Sequence, residues 1–137
     1  MLKTKIMLAV LAVAALCARQ PVFAHHAFAA EYDVNKPVSL SGTLTKLEWV
    51  NPHGWIYLDV KQPNGTIQHW TIEAAGPNQL SRRGLKKTDF TAGMALVVKG
   101  YQGKKDPALA NGRTLVLPDG RSFYIGSAGG PNDGADR

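Results

Sequence analysis

Four histidines carry most of the chemistry in this sequence: His25, His26, His53 and His69. No HxxxH or CxxC spacing ties any of them into a ready-made metal site, so the fold must assemble a ligand set. If the chain is cut after Ala24, His25 becomes N-terminal, and its α-amine and imidazole could chelate one metal together. A further imidazole would complete a tetragonal, nitrogen-rich site of the kind that suits Cu(II). His53 is the expected third ligand, because its neighbours mark an exposed turn, and His26 is the alternative. Glu31 or Asp33 would add an oxygen ligand or orient an imidazole. Against this, an N-terminal histidine pair is equally at home in solvent, and His53 would also serve to cap its turn.

A second possible site is aromatic. The stretch Trp49-Val50-Asn51-Pro52-His53-Gly54-Trp55 holds two tryptophans, a histidine and three turn-forming residues in seven positions. With Tyr57 it gives five candidate ligand-binding residues: Trp49, Asn51, His53, Trp55 and Tyr57. Rings on a barrel face stack sugars, heterocycles or peptide side chains, and the polar tips set orientation. Core filling competes for the same rings. Trp70 alternates in phase with Ile72 and is assigned to the core.

Hydrolytic chemistry has less footing. Glu48, Asp59 and Glu73 are the strand carboxylates, and nothing in their spacing places two across one cleft. Ser39 and Ser41 lack a nucleophile-elbow pattern, and no nucleophile–base pair stands out. These residues point to binding, not to an enzyme. The basic set Arg82, Arg83, Lys86, Lys87, Lys104 and Lys105 would meet anionic lipid or acidic polysaccharide, or simply solvate the surface.

The elements that must position these groups follow a leader. A basic head, Met1 to Lys5, precedes the uninterrupted apolar run Ile6 to Ala18, and Val22 and Ala24 are small residues at the −3 and −1 positions of a cut. This is the pattern of a secretory signal peptide over residues 1–24, and it places the mature protein in the periplasm or outside the cell. The run falls short of the roughly 20 residues of a membrane span. Cys17 follows Leu16 within the apolar run, which argues against a lipoprotein signal. Removing 24 of the 137 residues leaves 113, enough for one modest core. The only cysteine is lost, so packing alone must hold the fold. Lys3, Lys5 and Arg19 are lost too, and the formal charge falls from +6 to +3. Nucleic acid is not an expected partner for an exported chain this mildly basic. A monomer is expected, with a small ligand or an envelope protein as partner.

Val38 to Val50 alternates as a half-buried strand until its phase slips between Leu44 and Leu47, which implies a bulge. Asp33 to Pro37 reads as a turn before it. Trp55 to Val60 and Thr66 to Glu73 form a hairpin across Asn64-Gly65. Pro77 and Gly84 bracket a short helix. Further strands are expected at Met94 to Tyr101, Asn111 to Leu117 and Arg121 to Ile125. Three strands, a short helix, then two strands and a terminal hairpin is the order of the OB-fold, a Greek-key barrel of five to six strands. The barrel is placed at residues 25–126, with a disordered tail over 127–137.

His25-His26-Ala27-Phe28-Ala29-Ala30-Glu31-Tyr32-Asp33 after the leader resembles the opening of a bacterial exported family catalogued as a domain of unknown function. So do Gly42-Thr43, Glu48-Trp49-Val50-Asn51-Pro52-His53, Trp70-Thr71-Ile72-Glu73, Pro77-Asn78-Gln79-Leu80 and Arg83-Gly84. The resemblance covers essentially the whole mature chain. It implies kinship and export and carries no activity with it. Gly54 stands where that family commonly has Ala.

Overall fold

The computed structural model describes residues 27–131. The expected signal peptide and the His25–His26 pair lie outside that range. A helical turn over residues 27–31 leads into β1 (Tyr32–Glu48), β2 (His53–Lys61) and β3 (Ile67–Ala75). The helix α1 (Pro77–Arg82) and a 3-10 turn (Lys87–Asp89) follow, then β4 (Ala95–Gly103), β5 (Leu109–Val116) and β6 (Ser122–Tyr124).

The strands form one sheet of order β3-β2-β1-β4-β5-β6. Neighbours in that order run antiparallel, and a short parallel pairing of β3 with β5 closes the sheet on itself. A β1–β2–β3 meander, a helix before β4 and a parallel β3–β5 seam make the expected OB-like barrel. Closure leaves β3 and β5 without the exposed edge that invites pairing with another chain. Among the described residues no helix is long and apolar enough to cross a membrane.

Alternation decides what fills the barrel. Ile56, Leu58 and Val60 of β2 point inward, as do Trp70 and Ile72 of β3, with Leu40, Leu44, Leu96, Val98 and Leu115 from the other strands. Trp70 is 6 % exposed, so it belongs to the core as its phase predicts. Leu80 of α1 and Leu85 just after it join the same cluster. The phase slip in β1 is a register shift between Leu44 and Lys46 in its pairing with β2. The extra residue bends β1, so that it pairs with β4 along its first part and with β2 along its last. At Gly42 the bent strand passes so close to β2 that a Cβ there would fall 2.7 Å from the Asp59 carbonyl oxygen.

Two expectations are corrected. Asp33 to Pro37 lies within β1, as an irregular stretch that pairs with β4 at Tyr32 and again at Pro37. The local turn signal survives as a hydrogen bond from the Asn35 N–H to Asp33 Oδ1, 3.0 Å. Of the expected disordered tail, residues 127–131 are described, and residues 132–137 lie outside the described range. Ser127 is 3 % exposed and donates to the Glu73 carboxylate at 3.1 Å, an anchor that glycine-rich composition does not reveal.

Candidate functional site

Glu73 is the centre of the site. By strand alternation it belongs on the outside of the barrel, with His69 and Thr71, yet it is only 5 % exposed. The cover comes from both ends of the described chain. Tyr32, where the N-terminal turn meets β1, donates its phenol O–H to Glu73 Oε2. Ser127, beyond β6, donates to Oε1. A third partner comes from the β1–β2 corner: His53 Nδ1 lies 2.8 Å from Oε1. A buried carboxylate is costly unless its lone pairs are met, and here three donors meet them. Burial first, and then the hydrogen bond to Glu73, push the Tyr32 phenol well above its usual value, so it stays a donor.

Behind this shell the network continues. Asn111 Nδ2 donates to Ser127 Oγ at 3.1 Å, and Arg113 Nη1 donates to the Ser127 carbonyl at 3.1 Å. The Arg113 guanidinium also lies over the Phe28 ring, 5.1 Å from its centroid. Phe28 packs on Tyr32 and edge-on to Tyr101. Lys104 fixes the N-terminal turn through its Nζ to the Ala29 carbonyl and its N–H to the Glu31 carbonyl. Among the described residues the buried polar or charged side chains are Glu73, Asn111, Arg113 and Ser127. All four belong to this network, on the outer face of the β3–β5 seam, where Glu73 is paired with Asn111.

A cleft of about 360 Å³ opens beside the network. Glu31, His53, Glu73, Asn111 and Ser127 give its polar lining, Phe28, Tyr32 and Trp55 its aromatic walls, and Ala27 and Ala128 the rest. No lysine or arginine of the described residues lines it. A second hollow shares His53 and Ala128 and is walled by Asn51, Pro52, Gly76, Asn78 and Gln79. The corner between β1 and β2 carries a cis Asn51–Pro52 peptide and lies against the start of α1. A Cβ at Gly76 would stand 2.5 Å from the Pro52 carbonyl oxygen and 2.9 Å from Asn51 Oδ1.

The five residues expected to bind ligand therefore divide. His53 and Trp55 line the cleft, and Asn51 with His53 lines the hollow beside it. Trp49 turns toward Phe90, ring centroids 6.0 Å apart, and packs on the core. Tyr57 is one alternation further along the face, under Lys46 Nζ at 5.0 Å, and lines neither space. Asp33 is engaged by the Asn35 N–H, and the carboxylate that meets His53 is Glu73. His69 pairs with Asp59 at 2.6 Å on the open surface, its side chain 80 % exposed. Arg83, grouped with the surface basic residues above, is a clamp: it donates to the Gly126 carbonyl at 2.9 Å and stacks on Tyr124. Among the described residues no three His, Cys, Asp or Glu side chains form a metal-ligating group, and His25 and His26 lie outside that range.

Sequence reasoning left out Tyr32, Asn111 and Ser127, and it treated Glu73 as one of three unplaced carboxylates. One local signal for Glu73 exists: it is the only charge in the run Trp70 to Ala75, which is otherwise apolar apart from Thr71. Nothing local marks Ser127 or Asn111.

Residues 12–111 match the Family of unknown function (DUF6152). The chain belongs to that family. The match takes in the β1–β2 corner, Glu73 and Asn111, and it ends before Arg113 and Ser127. No curated protein and no solved structure matches the chain.

Proposed function

We propose that the protein is an exported binding module, not an enzyme, and that its ligand seat is the cleft beside His53. One observation carries the reading. The buried polar side chains of the described residues gather at one place, around the Glu73 carboxylate beside the cleft. Buried ionic groups add little to stability compared with apolar residues of the same volume, so a role in recognition accounts for their presence better than packing does. Ser127 donates to Glu73 and not to the imidazole, so it is not a base-activated nucleophile. The test is native mass spectrometry and metal analysis of the protein purified after processing in its own compartment. The wild type is expected to carry a ligand that His53→Ala loses. A wild type that carries nothing, or a variant that carries the same, refutes the seat.

The orientation of His53 supports a more specific ligand. With Nδ1 against a carboxylate, Nε2 is left for a metal, the carboxylate–histidine–metal arrangement. Ala27 lines the same cleft, and His25 is two residues before it, within about 7 Å of extended chain. On this reading cleavage after Ala24 exposes the His25 amine, which with its imidazole and His53 Nε2 holds Cu(II), His26 being the alternative ligand. Copper titration of the chain beginning at His25, against one with a single extra N-terminal residue, tests it. The extra residue should weaken binding at least tenfold, and equal affinities would remove the amine from the ligand set.

A further inference from the structure

We infer that the cleft and the hollow beside it form one seat for a neutral saccharide, with one sugar ring stacked on Trp55 and the next turned past His53 toward the carboxamides of Asn51, Asn78 and Gln79. The inference rests on the proposed seat, not on the copper reading, and adds the seat's second half and the ligand's chemical class.

The two spaces meet at His53 and Ala128, which line both. This divide is held from each side. His53 Nδ1 lies 2.8 Å from Glu73 Oε1. Ala128 follows Ser127, whose hydroxyl is fixed by Glu73 and Asn111 and whose carbonyl is fixed by Arg113. Walls that need no ordering when a ligand arrives leave more of the contact energy as affinity. The hollow, at about 380 Å³, matches the cleft in size, so a ligand that fills both has at least two similar units.

Trp55 supplies the stacking surface. It lines the cleft, half-buried on the outer face of β2 and paired with Glu73 of β3. The other half-buried rings each have a ring or a cation against them. Trp49 meets Phe90, Tyr57 lies under Lys46, Tyr101 meets Phe28, and Phe123 and Tyr124 lie under arginines. Among the described residues none stacks on Trp55. The C–H groups of a sugar face are weakly positive and suit the negative face of an indole.

Hydrogen bonding sets the rest of the class. Asn111 is 1 % exposed and donates from Nδ2 to Ser127 Oγ, while its Oδ1 has no hydrogen-bond partner among the described residues. A buried acceptor left so is costly, and Asn111 lines the cleft, where a ligand hydroxyl would donate to it. In the hollow each carboxamide offers a donor beside an acceptor, the pattern that a hydroxyl, itself both, satisfies. No lysine or arginine of the described residues lines either space, so an anion finds no counter-charge. Glu73 has both oxygens engaged within the protein, so its charge does not call for a cationic ligand. A peptide added as a strand needs a free sheet edge, and β3 at Thr71 to Glu73 is paired with β2 on one side and β5 on the other.

The test is a ¹H–¹⁵N NMR titration of labelled protein purified after processing in its own compartment. The probes are cellotriose and chitotriose, with trigalacturonate and trialanine as anionic and peptide counterparts. A neutral trisaccharide is expected to shift the Trp55 indole N–H and the side-chain amides of Asn51, Asn78 and Gln79 along one saturation curve. Trp55→Leu should weaken it about tenfold, and Asn78→Ala combined with Gln79→Ala about fivefold. The wild-type shift map stands as a test even if a variant fails to fold. Shifts at Trp55 without the carboxamides overturn the joined seat. No saturable shift with either trisaccharide, or tighter binding of trigalacturonate or trialanine, overturns the ligand class, and the seat itself survives if His53→Ala still loses the ligand carried by the purified protein. Saccharide shifts remote from both spaces and unchanged in His53→Ala overturn the saccharide seat.

Discussion

Gly76→Ala is the sharpest probe of how the corner is held. Gly76 precedes α1 with φ −68° and ψ 160°, angles open to any residue, so alanine brings no backbone penalty of its own. The cost comes from space alone. The new methyl would stand 2.5 Å from the Pro52 carbonyl oxygen, about 0.9 Å inside ordinary contact, and the obstacle is backbone. Either the corner or the start of α1 must move by about that much. A move of the corner takes His53 with it and stretches the 2.8 Å contact with Glu73 beyond hydrogen-bond range. Overpacking of this kind costs about 2 kcal/mol, or about 8 °C at roughly 4 °C per kcal/mol for a domain of this size. Thermal unfolding by circular dichroism gives the first number, and the NMR signals of the His53 ring report the second effect. Gly65→Ala is the control. Gly65 has φ +85° and no atom near its missing Cβ, so alanine there strains only the hairpin tip and leaves His53 untouched. An unchanged melting temperature for Gly76→Ala, or a disturbance of His53 as large in Gly65→Ala, would refute the reasoning.

Tyr32→Phe removes one donor from a buried carboxylate and should cost about 2 kcal/mol at neutral pH in urea unfolding. The wild type should also lose stability above pH about 10. The unfolded phenol releases its proton there while the folded one keeps it, so the unfolded state binds fewer protons and the slope is downward. Tyr32→Phe should flatten that slope. Asp89→Asn tests the other pH limb. The Lys86 backbone N–H first, and then Arg121, hold the Asp89 carboxyl below its usual value. Its contribution is present above pH about 4 and disappears as pH falls through the folded value. The variant should lose about 1 kcal/mol at pH 7, the ordinary net worth of a hydrogen bond, and should show a shallower fall in acid, both read by denaturant melts.

How much of this was legible in the sequence depends on how far each signal reaches along the chain. The inward faces of β2 and β3 follow from alternation within each strand, and the β1 bulge from a phase slip between Leu44 and Leu47. Both are local and both hold. The β1–β2 corner was marked by its own turn residues. Glu73 could not be placed, because strand alternation assigns it to solvent and the segments that cover it come from Tyr32 and Ser127, 41 and 54 residues away. The composition of the Ser127 segment, rich in glycine, imitates an unstructured tail. Its anchors, Asn111 and Arg113, are on another strand. Trp49 shows the converse limit: its turn context suggested display, and Phe90, which takes it inward, lies beyond α1.

Because Tyr32 and Ser127 reach the same carboxylate, the chain between them nearly closes into a loop in space. Ala27 and Ala128, near the two ends of the described residues, both line the cleft. An affinity tag joined directly at residue 27 or 128 would therefore stand beside His53. A circular permutant removes that interference: a linker joins the two ends of the described residues, and new ends open at Asn64-Gly65. That turn is exposed, and opening it leaves the paired residues of β2 and β3 in place. Such a chain would keep the barrel while leaving the approach to the cleft free of foreign residues.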